Sequence, residues 1–184
     1  IKAYYGKHTD SSMIKVCFDP RIDISENELT KKYDALKSLE KLEMKMYIAV
    51  NRLKEGLKLA NKYERDLENL DSIQYRSEIK LCQNIQDSIN VFLDHFFGKV
   101  DKRQGIIMHS DKTLMSRYSQ AFSYTSNASH APKSTEYNLI SKFESVLQQV
   151  IRDINKFYEK DWSKFRTTME QLSLNLFTDY KKIE

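Results

Sequence analysis

The sequence predicts a mainly α fold: an antiparallel up-down bundle of three long helices plus one short helix, with a small N-terminal β-hairpin. Two observations predict it. Three long stretches carry apolar residues at alternating gaps of three and four, the spacing of one helix face. Glycine and proline, which would interrupt them, number only four and two in 184 residues, against ordinary usage of about 7% and 5%. A helix with a single apolar stripe buries it against other helices, which gives the bundle.

The first stripe runs Leu29, Tyr33, Leu36, Leu39, Leu42, Met46, Val50, Leu53, Leu57 and Ala60. Ahead of it, Ser25-Glu26-Asn27-Glu28 has the form of a capping box, so this helix is expected to start near Glu26. Gly56 inside it costs about 1 kcal/mol relative to alanine and marks a close helix approach or a bend. The end is expected within residues 62–70. The second helix is expected to start near Ser72, with Asp71 as cap, to carry Cys82, Ile85, Ile89, Phe92 and Phe96 on its face, and to stop at Gly98. A charged connector covers 98–110. A short third helix fits Lys112 to about Tyr124, with the stripe Met115, Tyr118, Phe122. After a polar loop at 125–133, the last helix begins at Ser134 or Thr135 and runs to about Leu172. Its stripe is Ile140, Phe143, Leu147, Val150, Ile154 and Phe157, continuing through Tyr158, Trp162, Phe165, Met169 and Leu172.

Residues 1–22 read differently. Tyr4-Tyr5 and the run Met13–Phe18 are β-rich, and the polar, glycine-containing segment Gly6–Ser12 lies between them, which predicts a hairpin. A lone hairpin is marginal in water, so it is expected to pack on the helices or to be the edge of a larger sheet. The domain division is therefore 1–22 hairpin and 23–184 helical bundle. The first residue is not Met and the chain opens directly in strand-like sequence, which reads as a piece of a longer protein.

The charge pattern argues against nucleic acid. Thirty basic and 26 acidic residues give a net charge of +4, and the two signs interleave, as in Lys41–Glu43–Lys45 and Glu159–Lys160–Asp161. A nucleic-acid binder gathers its basic residues on one face. No stretch is long and apolar enough for a membrane span. Two cysteines, Cys17 and Cys82, permit one bridge but make no disulfide framework. The four histidines, at 8, 95, 109 and 130, show no i, i+3 or i+4 pair that would set two metal ligands on one helix face. Phosphate loops and nucleophile elbows are absent from the sequence, and no cofactor is expected. Among the aromatics, Trp162, Tyr5 and Tyr180 are the ones expected outside the core, where they would meet a partner or stack on a sugar. Asn127-Ala128-Ser129 matches a glycosylation sequon.

The order of elements resembles one family. Lys15-Val16-Cys17-Phe18-Asp19-Pro20-Arg21-Ile22 is similar to the strand exit found in large secreted bacterial proteins that carry sortilin-like or BNR-repeat β-propellers, often labelled glycosyl hydrolases. Ser25-Glu26-Asn27-Glu28-Leu29 with Tyr33, then Ala49-Val50-Asn51-Arg52-Leu53, resemble the helical C-terminal region that follows the propeller and an immunoglobulin-like module. Arg103-Gln104 is similar to a pair in that family's connector, and Ala131-Pro132 before Thr135 to the entry of its last helix. The connector departs from the family at Gly105-Ile106-Ile107-Met108, where an aspartate and prolines are usual.

The resemblance implies export, to the periplasm, cell surface or medium, and a hairpin belonging to the immunoglobulin-like module. It implies a non-catalytic interaction or structural module that docks on its own propeller, on another subunit or on a glycan. No catalytic, metal or cofactor residue is carried over. Arg103, Gln104 and Trp162 are the candidate interaction or connector residues. The alternatives are a glycan-hydrolase-associated enzyme domain and an oligomerisation domain.

Overall fold

The structure is a computed structural model, and it describes residues 1–17, 19, 24–99 and 113–172. Its elements are β1 (Lys2–Tyr5), β2 (His8–Ser11), α1 (Glu26–Asp71), α2 (Arg76–Phe97), α3 (Leu114–Asn127), α4 (Ser134–Phe157), a π-helical turn (Tyr158–Trp162) and α5 (Ser163–Gln171). The expected fold class is what is observed, with helices dominating and a two-stranded antiparallel hairpin at the N-terminus.

The helices make three columns. The first is α1, whose 46 residues span about 69 Å at about 1.5 Å per residue. The second is α2 followed by α3, laid end to end and running against α1. Gln83 and Gln86 of α2 meet Glu64, Phe97 lies beside Lys54, Tyr118 of α3 bonds Glu43, and the end of α3 reaches Lys32. The third column is α4, the π turn and α5, unbroken and parallel to α1: Tyr158 pairs with Arg52 and Phe165 with Tyr63. Mutual antiparallel packing therefore holds for two of the three pairs of columns. In any up-down-up array the first and third must run the same way.

Each helix end has a local cause. At the start of α1 the capping box forms as expected. Ser25 Oγ accepts from the Glu28 amide at 3.3 Å, and the Glu28 carboxylate accepts from the Ser25 amide at 2.9 Å; such a cap stabilises by about 1 kcal/mol. The second helix starts at Arg76, four residues later than expected. Asp71 does cap, but it caps the turn: its Oδ1 accepts from the amides of Ile73 and Gln74, both at 2.9 Å. Residues 72–75 are thereby held in the reversal between α1 and α2. Gly98 ends α2 with φ +80°, its amide donating to the Asp94 carbonyl at 2.8 Å, a conformation that only glycine takes without strain. Thr113 caps α3 through the Ser116 amide. The ammonium of Lys32 donates to the carbonyls of Ser126 and Ala128 at the other end of α3, where a cation also meets the negative end of the helix dipole.

The core runs along the axis between the columns, with Leu39, Leu53, Leu67, Ile89, Phe96 and Phe143 among its fully enclosed members. The stripes expected for the first, second and last helices face it, apart from Tyr33, which is exposed, and Leu29 and Leu36, which are only half-buried and outside the core. The third helix is a correction. Its buried face is Leu114, Ala121 and Thr125, while Met115 and Phe122 point outward and Tyr118 sits at the margin. Small residues let α3 approach α1 and α4 closely, whereas the expected stripe followed the largest side chains. The helix also continues to Asn127, so the first residue of the Asn127-Ala128-Ser129 triplet is helical, its amide donating to Ser123 Oγ.

The hairpin is a second correction. β1 pairs with β2 in the register Lys2↔Ser11 to Tyr5↔His8, and not with Met13–Phe18. Gly6 takes φ +59° in the two-residue turn Gly6-Lys7, which reverses the chain directly after Tyr5. The pairing is then complete before the apolar run begins. Met13, Ile14 and Val16 are exposed and outside any strand, and Phe18 lies outside the described residues. Every strand residue is exposed, so the packing on helices expected of a lone hairpin is not what holds it. Both cysteines are free: Cys17 is exposed and Cys82 is enclosed in the core of α2.

Candidate functional site

Of the three candidate interaction residues, Arg103 and Gln104 lie outside the described residues, as does Tyr180. Trp162 is placed, and it marks an unusual segment. It closes the π-helical turn in the third column. A π turn inserts one extra residue into a helix, and such insertions often occur at functional sites.

The sequence shows why the insertion is there. Continuing the spacing of Ile154 and Phe157 as an ordinary helix would bring Asp161, Lys164 and Thr168 to the core. The apolar residues instead stand one position later, at Trp162, Phe165 and Met169. The extra residue rotates them inward, and Phe165 and Met169 are buried. Helical spacing alone had led to a continuous helix here, and the one-residue slip was the signal that could have revealed the turn.

Across from the π turn, Gly56 of α1 presents no side chain. A Cβ there would lie 3.1 Å from Tyr158 Oη, 3.2 Å from Trp162 Cζ3 and 3.3 Å from Ile89 Cδ1. The close approach expected of Gly56 is thus observed, and the ring of Trp162 fills the space. Tyr158 Oη donates to the backbone carbonyl of Arg52 at 2.8 Å. The Arg52 guanidinium in turn sits over the Tyr158 ring, 4.7 Å from its centre, within cation–π range. Burial pushes the Tyr158 phenol up to about 12; Arg52 opposes that rise and Glu55 adds to it. The phenol therefore stays protonated and serves as a donor. Trp162 packs on Tyr158 and on Phe165, at 5.5 and 5.2 Å between ring centres.

A groove of about 460 Å³ opens above these residues, lined by Arg52, Glu55, Leu59, Trp162 and Arg166. Arg166 is paired with Glu170 at 2.7 Å. Two further depressions adjoin it along the same face. One, of about 440 Å³, shares Arg52 and is floored by Ile48, Ala49, Ile151 and Ile154. The other, of about 320 Å³, shares Leu59 and lies towards Lys62, Asp66 and Glu170. Together they form one furrow between α1 and the third column. Among the described residues, no group of three His, Cys, Asp or Glu side chains is placed to hold a metal ion, and no helix is long and apolar enough to cross a membrane.

No protein-family model matches the chain, and no curated protein or solved structure matches it.

Proposed function

We propose that the chain is a non-catalytic interaction module, the helical C-terminal part of an exported propeller-bearing protein, docking on its own propeller or on another protein. One observation carries the docking part of the reading. Met44, Tyr47 and Ile48 stand on consecutive positions around α1 at the level where all three columns meet, and they are 58%, 62% and 59% exposed. A helix that has already buried Leu42, Met46 and Val50 in a complete core gains nothing internally from further large apolar side chains. Grouped on one exposed face of α1, they make an apolar patch of the kind that marks a contact with another protein. The placement beside a propeller rests on the resemblance of Val16–Ile22 and Ala49–Leu53 described above.

The experiment is site-specific photo-crosslinking in cells that express the chain naturally. A crosslinker replacing Tyr47 is expected to give a discrete adduct, and one replacing Lys80, exposed on α2, is not. Equal labelling from both positions would refute the reading. The enzyme alternative is tested alongside it with chromogenic glycoside, ester and phosphate panels. Turnover abolished by changing a single Asp, Glu or His would replace the interaction module with a catalyst.

A further inference from the structure

We infer that the furrow between α1 and the third column receives an amphipathic helix of about 20 residues from a partner protein, with carboxylates flanking its apolar stripe. The inference rests on the reading of the chain as an interaction module and adds where the partner sits and what chemistry it carries.

Three features of the furrow lead there. The first is its shape. On α1 it is lined from Lys45 to Asp66, about 32 Å at about 1.5 Å per residue. It follows α1, one continuous α-helix over that length, and the parallel third column of α4, the π turn and α5. A long furrow between two helices is the seat into which a third helix lays its apolar face, with anchors at i, i+3, i+4 and i+7. The second is its floor. Ile48 and Ile151 remain accessible above the enclosed Ile154, and Met44 and Leu59 extend the apolar line along α1.

The third feature selects the partner. Lys45, Arg52 and Arg152 stand around the Ile48–Ile151 floor, and no carboxylate lines that part of the furrow. Among the described residues none of the three is in an ion pair. Arg152 donates to the neutral Gln149 at 2.6 Å, Arg52 lies on the Tyr158 ring, and the described ion pairs are between other residues: Lys37–Glu40, Lys156–Asp153 and, further along the furrow, Arg166–Glu170. Elsewhere the surface interleaves its charges, so three cations around an apolar floor form a local field of one sign. Such a field steers and orients an oppositely charged partner. At the other end of the furrow Lys62 faces Asp66 and Glu170, and the field there is not positive. The partner's carboxylates therefore belong at the end that lies over Lys45 and Arg152, which fixes the direction of the docked helix.

The probe is a displayed library of 20-residue helices with a constant Leu/Ile stripe and randomised flanking positions, selected against the intact chain. Enriched members are expected to carry Asp or Glu on the flanks and towards one end. Binding of a synthesised member is expected to shift the emission of Trp162, the chain's single tryptophan, which lines the furrow. Arg152→Glu and Ile48→Glu are each expected to weaken that binding at least tenfold. Lys80→Glu should leave it unchanged. Ile48 and Arg152 are both exposed, so both variants keep the core intact, and helical content by circular dichroism verifies this. Enrichment of basic or uncharged flanks overturns the inference, as does no enrichment or full binding by both furrow variants. A dimer of the chain that Ile48→Glu dissolves would also overturn it, assigning the furrow to a second copy. If these fail while the crosslinker at Tyr47 still gives its adduct, the furrow assignment falls and the interaction module stands.

Discussion

Gly56→Ala sets two effects of known size against each other. Replacing a mid-helix glycine by alanine stabilises a helix by about 1 kcal/mol. The added methyl group would stand 3.1 to 3.3 Å from Tyr158 Oη, Trp162 Cζ3 and Ile89 Cδ1, each a few tenths of an ångström inside ordinary contact. None of the three yields readily. Tyr158 is held by its hydrogen bond to the Arg52 carbonyl, Trp162 is wedged between Tyr158 and Phe165, and Ile89 is wholly enclosed. Overpacking of this kind costs about 1–3 kcal/mol, so the expected net effect is a loss of about 0–2 kcal/mol. Urea unfolding followed by circular dichroism measures it. Trp162→Phe removes one of the three obstructions, so the cost of Gly56→Ala should shrink in that background, which a double-mutant cycle reads directly. A Gly56→Ala protein more stable than the parent by about 1 kcal/mol would show that the methyl group meets no resistance, and the account of the π turn closing on Gly56 would be wrong.

Other consequences are as direct. Leu147→Ala should cost about 2–5 kcal/mol in chemical denaturation, because Leu147 is 0% exposed at the centre of α4; a change below about 0.5 kcal/mol would place it on the surface. Cys17 should react with a thiol reagent in the native protein while Cys82 waits for unfolding, since burial both encloses that thiol and pushes it up to about 12; two equally fast thiols would contradict this. Glu28 is held below its usual 4.5 chiefly by the Ser25 backbone amide. Its contribution is therefore present above pH 4.5 and lost as pH falls through the lowered value, and Glu28→Gln should flatten the acid limb of the stability profile. Amides of β1 and β2 should exchange faster than those of α1 and α4, because every strand residue is exposed; protection equal to the core's would mean the hairpin is integral to the bundle.

The fold was legible because each long helix carries its instruction locally: a stripe at helical spacing, the Ser25–Glu28 cap and the stop at Gly98. What escaped depended on tertiary geometry. The buried face of α3 turns on Ala121 and Thr125, small residues whose value lies in how near another helix comes, and no hydrophobicity ranking would favour them over Met115 and Phe122. The hairpin register was set by the turn at Gly6-Lys7, which a search for apolar alternation passed over in favour of Ile14 and Val16. Of the groove, Trp162 was legible in the sequence as an aromatic to single out, although it packs against the core and does not stand outside it as expected. The furrow itself was not, because Ile48 and Ile151 lie 103 positions apart and meet only through the parallel course of the first and third columns. That course follows from helix count and short connections, but its registry does not.

The interruption between α2 and α3 gives the rod a mechanical asymmetry. On two sides, α1 and the α4–α5 column pass the level of Gly98 and Thr113 without a break, and axial load there is carried by continuous ladders of backbone hydrogen bonds. On the third side the column is divided, with Gly98 and Thr113 so close that a Cβ on the glycine would stand 3.2 Å from the threonine methyl. Bending that presses these two ends together would bring the bare glycine backbone onto that methyl. Among the described residues the module is thus continuous on two sides and divided on the third, so its resistance to bending differs with direction.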